Sequence, residues 1–280
     1  MSKVFEALRQ SERNQTSERS DAPELFLGFQ EGETFEKTLA LQPGLISPHL
    51  VAVQDPRSLA AEKFRVLSTQ LRQLQTHKGL KKLLVSSSVA DDGKTTVAAN
   101  LAVTLAATEQ KVLLLAGDMR SPTLNEVLGL DHPQGLAEYT GGGRSLNHFI
   151  YRLESLKLYY LPAGNPPHQG LQLLQSGRIS KLLAQLAEWF DWVIIDSPPL
   201  LPLADASMWA RICDAVLLVV RDGRTPRKRI QKAVEGLGET PLLGVVLNDC
   251  TAKPDSYFER YSRQGSARDH RASTQFRGSV

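Results

Sequence analysis

The segment VSSSVADDGKTTVAANLA, residues 85–102, decides the fold, because it has the pattern of a buried strand, a tight turn and the start of a helix. Where that helix begins, Gly93-Lys94-Thr95 would be surrounded by free backbone N–H groups that point at one place. Such a place attracts phosphate. We expect Lys94 to reach the β and γ phosphates of a nucleotide, Thr95 to offer its hydroxyl to Mg²⁺, and Gly93 to allow a close backbone approach.

Two features of this turn differ from the usual phosphate-binding loop. Ser88 occupies the position of the first glycine, and Asp91 and Asp92 bring two carboxylates into the turn. Because a polyphosphate repels them, we expect both carboxylates to face outward or toward a cation. A second interpretation of DDGKT is a capped helix start, in which Asp92 accepts backbone N–H bonds.

Short apolar segments alternate with amphipathic ones along the rest of the chain. Six segments are continuously apolar, like strands covered on both faces of a parallel sheet: 81–87, 111–117, 157–163, 191–196, 214–220 and 242–248. Helical patterns lie between them, near 94–108, 121–129, 171–189, 203–211 and 225–237. This order predicts an α/β fold with a mostly parallel sheet flanked by helices on both faces.

Two aspartates follow predicted strands. FDWVIIDSPP puts Asp196 at the carboxyl end of a strand, the edge at which open α/β sheets bind ligands. There it can hold Mg²⁺ beside the Thr95 hydroxyl; the alternative is a turn or helix-capping aspartate before Pro198. Asp118 follows another strand in LLLAGDMRSPTL, and we expect it to approach the same site as a general base or a ligand of metal-bound water. Its alternative role is an ordinary turn at a strand end.

The chain divides into three parts by composition. Residues 1–55 predict a short amphipathic helix with Val4, Phe5 and Leu8 on one face, followed by a polar linker from residue 12. Residues 56–250 predict the nucleotide-binding domain, which opens with a helix. Residues 251–280 are polar, rich in arginine and poor in aliphatic residues, which predicts a disordered tail.

Composition bounds the remaining possibilities. The 280 residues are 41% hydrophobic, enough for a full core, while no apolar run is long enough to cross a membrane and no secretory signal is present. These features predict a cytosolic protein. Cys213 and Cys250 lack metal-binding or redox spacing. A net charge of +3 does not by itself indicate nucleic acid; the basic segment RDGRTPRKRIQK is interpreted as a solvated helix face, or as a contact for a partner protein or an anionic lipid surface.

Eight motifs occur in one order: EKFRVLSTQL, SSSVADDGKTTVAANLA, KVLLLAGDMRSPTLNEVLGL, GLAEYTGG, LPAG, FDWVIIDSPPLLPLADA, DAVLLVVRDGRTP and LLGVVLND. In this order they resemble the bacterial tyrosine kinases of capsule and exopolysaccharide synthesis, which are P-loop proteins related to septum-positioning and chromosome-partitioning ATPases. The partitioning branch has a second lysine early in the loop, where this chain has Val89. The tyrosine-kinase branch therefore fits better.

The resemblance implies a site for ATP and Mg²⁺ and transfer of the γ-phosphoryl group to tyrosines of a C-terminal tail. It places Thr96 on the phosphates and Asn248 near the adenine. The predicted cofactor-binding residues are Asp92, Gly93, Lys94, Thr95, Thr96 and Asn248; the predicted catalytic residues are Lys94, Asp118 and Asp196; the predicted metal ligands are Thr95, Asp118 and Asp196. A membrane protein of polysaccharide co-polymerisation is the implied partner, which would hold a cytoplasmic protein at the inner membrane.

Three departures from the family pattern bear on activity. Ala116 stands where the family has an aspartate, Ser68 replaces the second arginine of an oligomerisation motif that keeps Glu62 and Arg65, and the tail has only Tyr257 and Tyr261. A homo-oligomer through Glu62 and Arg65 remains the expectation. These departures leave open a catalytically weak, ATP-dependent scaffold of the same machinery. A more distant alternative is a partitioning-type ATPase that binds DNA or membrane through residues 224–232, although no nucleic-acid partner is expected.

Overall fold

A single seven-stranded sheet organises the molecule. The computed structural model describes residues 37–39, 45–131, 133–140, 144–165, 174–175, 177–202 and 204–250. Its strands are β1 (Lys82–Ser87), β2 (Val112–Ala116), β3 (Tyr151–Leu153), β4 (Leu158–Leu161), β5 (Trp192–Asp196), β6 (Ala215–Arg221) and β7 (Leu242–Asn248). They are ordered β3-β4-β2-β5-β1-β6-β7, and only β3 runs antiparallel to its neighbour.

Helices fill most of the connections between strands. They are α1 (Val51–Gln54), α2 (Leu59–Lys78), α3 (Lys94–Ala106), α4 (Leu124–Leu128), α5 (Leu136–Thr140), α6 (Arg178–Trp189), α7 (Ala204–Ile212) and α8 (Arg227–Glu235). Short 3-10 turns at Leu146–His148 and Glu154–Leu156 flank β3. The central strands are buried along nearly their whole length, as strands covered on both faces must be. The predicted fold class is confirmed.

The sheet register brings three chemically important segments together. Strand β5 lies between β1 and β2, so that Asp196 is paired with Val85 on one side and with Ala116 on the other. The three strands are parallel, and their carboxyl ends therefore lie at one edge. The turn that follows β1 and the loop that carries Asp118 begin at this edge.

Most predicted elements agree with the structure, and the differences have local causes. All six predicted strands are present, but the sequence missed β3, α1 and α5, which are too short to show a period. The predicted helix 121–129 begins only at Leu124, because the chain first turns around Asp118, whose carboxylate accepts the Ser121 N–H. A helix was predicted over residues 171–189, and the observed helix α6 begins at Arg178.

Residues 45–55, assigned above to the linker, are packed onto the domain. Leu50 is fully buried in the core. The Asn100 amide of α3 accepts the Ala52 N–H at 2.9 Å and donates to the His49 carbonyl at 2.9 Å. A buried leucine and a two-way amide contact outweigh the polar composition that suggested a linker. The predicted N-terminal helix of Val4, Phe5 and Leu8 and the tail from residue 251 lie outside the described residues.

No helix within the described ranges is long and apolar enough to cross a membrane.

Candidate functional site

The turn between β1 and α3 has the conformation of an open anion cradle. Helix α3 begins after Gly93, which has a φ of +92° and makes no side-chain cap bond to the helix. A Cβ at this position would overlap the amide nitrogen of Asn248. Only glycine fits, and the first N–H groups of α3 keep their capacity to bind an anion.

Lys94 lies inside the cradle and is paired with a carboxylate from the neighbouring loop. Its Nζ is 3.3 Å from the Asp118 Oδ2, and the two side chains are only 14% and 7% exposed. The other Asp118 oxygen accepts the Ser121 N–H at 3.1 Å. The loop after β2 therefore presents Asp118 directly to the lysine of the turn.

Asp196 completes the cluster from β5. Its side chain is almost wholly buried, and Oδ1 has no hydrogen-bond partner among the described residues. Burial raises the pKa of Asp196 from 3.8 to about 7, while the Lys94 charge and a Thr95 hydrogen bond act in the opposite direction and Asp118 adds to the rise. An unpaired, buried carboxylate oxygen is costly and indicates a position that a ligand completes.

This donor set fits a Mg²⁺ ion that also binds phosphate. Asp196, Asp118 and the Thr95 hydroxyl offer oxygen ligands, which magnesium prefers. Within the described ranges no three His, Cys, Asp or Glu side chains form a metal-binding group on their own. Mg²⁺ commonly takes one or two carboxylates from the protein and completes its coordination shell with phosphate oxygens and water. The small number of protein ligands at this site therefore suits an ion that is bound together with a nucleotide.

Ala116 occupies the position at which the family has an aspartate. It is buried in β2, with Asp196 as its register partner on β5. Paired residues of adjacent strands direct their side chains to the same face of the sheet. The chain thus has a methyl group beside Asp196 where the family pattern has a further carboxylate.

The two aspartates of the turn behave differently. Asp91 is exposed, as expected. Asp92 is buried: its Oδ1 accepts the Thr225 hydroxyl at 2.6 Å, and Oδ2 has no partner among the described residues. Of the two predicted orientations, outward or toward a cation, the outward one was wrong for Asp92, because the loop after β6 supplies a hydroxyl that the sequence did not indicate. Asp92 does not cap α3 either, since Gly93 occupies the cap position without a side-chain bond.

A network behind the turn, which sequence analysis missed, holds its backbone. Arg221, the last residue of β6, donates to the Asp91 carbonyl at 3.2 Å and pairs with Asp249 at 2.8 Å. The Asn248 amide donates to the Asp92 carbonyl at 3.0 Å. Asp91 itself has a φ of +64°, which is unfavourable for a residue with a side chain. We call these contacts of Arg221 and Asn248, together with the bond from Thr225 to Asp92, the rear clamp.

A second loop contact steadies the Asp118 side of the site. Trp209 of α7 donates its indole N–H to the Gly117 carbonyl at 3.1 Å, and the Gly117 N–H donates to the Asp196 carbonyl at 2.7 Å. Arg120 pairs with the buried carboxylate of Asp205, also in α7, at 2.6 Å. The loop after β2 is therefore anchored on both sides of Asp118.

Asn248 lies at the boundary between the turn and a cavity of about 510 Å³. Residues of α2, α3 and β7 line it, including Leu59, Phe64, Val97 and Asn248. The cavity is thus partly apolar and opens beside Gly93. Thr96 lies in the first turn of α3, next to Thr95.

The predicted oligomerisation residues lie on α2. Glu62 and Arg65 form an ion pair at 2.6 Å, and both side chains are about half exposed. Ser68 is buried and donates its hydroxyl to the Arg65 carbonyl at 2.9 Å. Where the family pattern has an arginine, position 68 therefore has a short side chain whose hydroxyl forms its hydrogen bond within the same helix.

Comparison with known proteins identifies the family. The model of the AAA_31 family, an AAA domain, matches residues 82–227. The tyrosine-protein kinase YwqD of Bacillus subtilis is 31% identical over 202 residues, which is 71% of this chain and 85% of YwqD. The chain belongs to the bacterial tyrosine kinases of capsule and exopolysaccharide systems. The resemblance deduced from the ordered motifs is confirmed.

Other members of this kinase family show where the similarity extends. The solved kinase domain of Escherichia coli Etk superimposes with a TM-score of 0.68 at 27% identity, covering 75% of this chain and 85% of that one. The succinoglycan biosynthesis transport protein ExoP of Rhizobium meliloti is 34% identical over 203 residues, 71% of this chain but only 26% of ExoP. The kinase chain described here therefore matches nearly all of YwqD and about a quarter of ExoP.

Proposed function

We propose that this chain is an ATP-dependent protein-tyrosine kinase that transfers the γ-phosphoryl group to tyrosine and thereby regulates the synthesis and export of a polysaccharide. One observation carries the proposal: Lys94 pairs with Asp118 at the turn that begins α3, and both the Lys94 charge and the Thr95 hydroxyl act on the buried carboxylate of Asp196. A lysine, a hydroxyl and two carboxylates at a helix N-terminus are the groups that phosphoryl transfer from a nucleotide requires.

Each of these residues has a distinct task in the proposal. The N–H groups of Gly93, Thr95 and Thr96 hold the phosphate oxygens, and Lys94 leaves Asp118 to pair with the β and γ phosphates. This exchange frees the Asp118 carboxylate. Asp118 then takes the proton of the acceptor tyrosine, the phenolic oxygen bonds to the γ phosphorus, and the bond from that phosphorus to the bridging oxygen of ADP breaks.

Asp196 and Thr95, with Asp118 nearby, would hold Mg²⁺. A bound magnesium ion supplies positive charge to the phosphate oxygens, which lowers the cost of the charge that builds up during transfer. The elevated pKa of Asp196 supports this role, because a buried carboxylate without a cation favours its protonated form.

The base and ribose extend from the turn toward Asn248. The cavity between α2, α3 and β7 begins at this residue and offers an apolar surface from Leu59 and Phe64. Asn248 has a free acceptor oxygen in addition to the amide hydrogens, one of which bonds to Asp92. We assign this region to adenine. Residues 56–250 make up the nucleotide-binding domain in this proposal, with residues 45–55 packed against it.

The acceptors in the proposal are Tyr257 and Tyr261, in this chain or in a second copy. Assembly of copies through the exposed pair Glu62 and Arg65 would bring the tail of one copy to the site of the next. The partner is a membrane protein of polysaccharide co-polymerisation, through which the kinase works at the cytoplasmic side of the inner membrane. Nucleic acid has no role.

Intact-mass analysis after incubation with Mg²⁺ and ATP tests this function. We expect mass increments of one or two phosphates, absent in Lys94→Ala and in the double variant Tyr257→Phe, Tyr261→Phe, and phosphotyrosine should be found at those two positions. Wild-type protein that binds ATP but gains no phosphate, alone or with its membrane partner, would contradict kinase activity.

A second candidate, a catalytically weak scaffold switched by ATP, is favoured by one observation. The buried methyl group of Ala116 beside Asp196 leaves the site one carboxylate short of the family pattern. Loss of a group that organises phosphoryl transfer lowers the rate of transfer more than it lowers the affinity for the nucleotide. A double tyrosine-to-phenylalanine variant that still supports normal polysaccharide production would favour the scaffold.

A further inference from the structure

One basic segment carries more cations than the nucleotide site uses. Residues 221–235, which are the end of β6, the following loop and α8, contain six of the chain's 33 Lys and Arg but only two of its 30 Asp and Glu. The charge excess of this segment alone is larger than the net charge of +3 of the whole chain. Its charge is therefore concentrated, unlike that of an ordinary mixed protein surface.

Five of these cations are exposed, and folding does not explain their position. Arg221 differs, because it belongs to the rear clamp. Within the part of the chain that the structure describes, the other five form no ion pair; they are Arg224, Arg227, Lys228, Arg229 and Lys232. Three of them occupy the first turn of α8, where the helix dipole disfavours positive charge. The arrangement lowers helix stability, which indicates a use other than folding.

The shape of this surface indicates the form of its partner. The exposed cations lie on α8 and on the loop before it, while the apolar residues of α8, Ile230, Ala233 and Val234, pack inward against the core. Within the described helix α8, the exposed side therefore has no apolar anchor. Such a surface fits an extended layer of negatively charged groups, which it contacts without inserting apolar side chains.

A second basic segment starts close by. Strand β7, next to β6 in the sheet, ends at Asn248, and the chain continues through Cys250 into residues 251–280. That sequence carries six Lys and Arg against three Asp and Glu. Two basic segments therefore begin at the same edge of the sheet, which is the edge that holds the nucleotide turn.

We propose that the loop after β6 and helix α8 form a docking surface for the anionic lipid headgroups of a membrane. The contact is electrostatic and reversible, and it holds the carboxyl edge of the sheet toward the bilayer. The choice of a bilayer rather than nucleic acid rests on the proposed function, since polysaccharide export takes place at a membrane. Direct lipid contact would add to attachment through a partner protein, because two weak attachments to one membrane reinforce each other.

Vesicle co-sedimentation of the full chain tests the surface without any need for kinase activity. The variant replaces the four cations of α8 with glutamine and spares Arg224, because its neighbour Thr225 bonds to Asp92. A matched control replaces four exposed cations elsewhere in the described structure, namely Arg72, Lys78, Arg152 and Lys181, with glutamine. Vesicles containing phosphatidylglycerol are compared with vesicles of phosphatidylcholine alone, at low and high salt, and duplex DNA is titrated in parallel.

We expect wild type and control to bind the phosphatidylglycerol vesicles alike, and high salt to release both. The α8 variant should bind at least about tenfold more weakly, since each of the four lost cations weakens attraction to an anionic leaflet severalfold. Unchanged binding of the variant, equal binding to phosphatidylcholine, or a preference for DNA over anionic vesicles would each overturn the proposal. Phosphotyrosine formation is read separately, so that a wild-type protein with kinase activity but no binding to anionic vesicles refutes only the docking surface.

Discussion

Lys94 and Asp118 form an ion pair at the centre of the site, with 3.3 Å between Nζ and Oδ2. The lysine that would bind the phosphates is thus held by the carboxylate that would accept the tyrosine proton. Nucleotide entry has to separate the two. One exchange therefore couples phosphate binding to the release of a base.

Asp118→Asn separates binding from transfer. Asparagine keeps the size of the side chain and its bond to the Ser121 N–H but cannot take a proton, and it holds Lys94 less strongly. We expect ATP affinity to stay the same or to rise, while the rate of tyrosine phosphorylation falls by roughly 10²–10⁴-fold. Calorimetry with ATP and single-turnover phosphorylation measure the two quantities. A parallel loss of affinity and rate would assign Asp118 to binding instead.

Asp196 gives the protein a pH-dependent stability. Its pKa is about 7 in the folded chain and near 3.8 when exposed, so the folded state binds this proton more tightly. The contribution to the free energy of unfolding is therefore fully present below pH ~4 and is lost as the pH rises through ~7. Asp196→Asn cannot ionise, and in the absence of metal and nucleotide it should exceed wild type in stability by a few kcal/mol above neutrality, at about 1.4 kcal/mol per pKa unit.

Urea denaturation across this pH range, compared between wild type and Asp196→Asn, measures the effect. The gap between the two proteins should close toward pH ~4. A gap that is independent of pH would contradict the assigned protonation.

Arg221→Ala opens the rear clamp. The residue holds the Asp91 carbonyl and pairs with Asp249, and its loss should let the turn fluctuate before ATP binds. ATP affinity is expected to fall about fivefold through lost preorganisation, whereas stability changes by less than ~1 kcal/mol because the ion pair is partly exposed. Lys157→Ala is the matched control, since it removes an exposed pair with Glu109 far from the turn. If both variants bind ATP like wild type, the clamp has no such role.

Asp91→Gly relieves an unfavourable backbone. Asp91 has a φ of +64°, a region that glycine occupies without steric cost. The substitution should raise the free energy of unfolding by about 0.5–1 kcal/mol with ATP affinity within about twofold of wild type. Glu109→Gly, at a φ of +65° in a turn outside the site, should stabilise similarly. Thermal melts compare the two, and a loss of ATP binding in Asp91→Gly would show that the side chain itself matters.

Ala116→Asp restores the carboxylate of the family pattern. It would lie beside Asp196 in a buried position and repel that carboxylate, so that the metal-free protein should lose about 1–3 kcal/mol. Added Mg²⁺ with ATP should stabilise the variant more than it stabilises wild type and should increase the rate of tyrosine phosphorylation. Differential scanning fluorimetry with and without Mg²⁺ and ATP measures the first effect. Equal ligand shifts in the two proteins would show that position 116 is not part of the metal environment.

Continuous apolar runs and one turn were enough to predict the fold and the centre of the site. The strand that ends at Asp196 and the turn at Gly93 each have a local pattern, and the parallel sheet brings their carboxyl ends together without further information. Lys94, Thr95, Asp118 and Asp196 were predicted to meet for this reason, and the structure brings them together.

The rear clamp had no comparable signal. Arg221 ends a strand and Thr225 lies in the ordinary loop that follows, and their contacts with Asp91 and Asp92 span more than 120 residues of sequence. They depend on β6 lying beside β1, which is a property of strand order and not of any local pattern. The inward turn of Asp92 was missed for the same reason.

The hydrogen bonds of Asn100 determine where a mechanical pull on the N-terminal part of the chain would act in the domain. Through its amide, the helix that starts at Lys94 is tied directly to the backbone at His49 and Ala52, just where the chain comes in from its N-terminal arm. A partner protein that pulled on the chain before residue 45 would therefore transmit force through these two hydrogen bonds to the phosphate-binding helix itself.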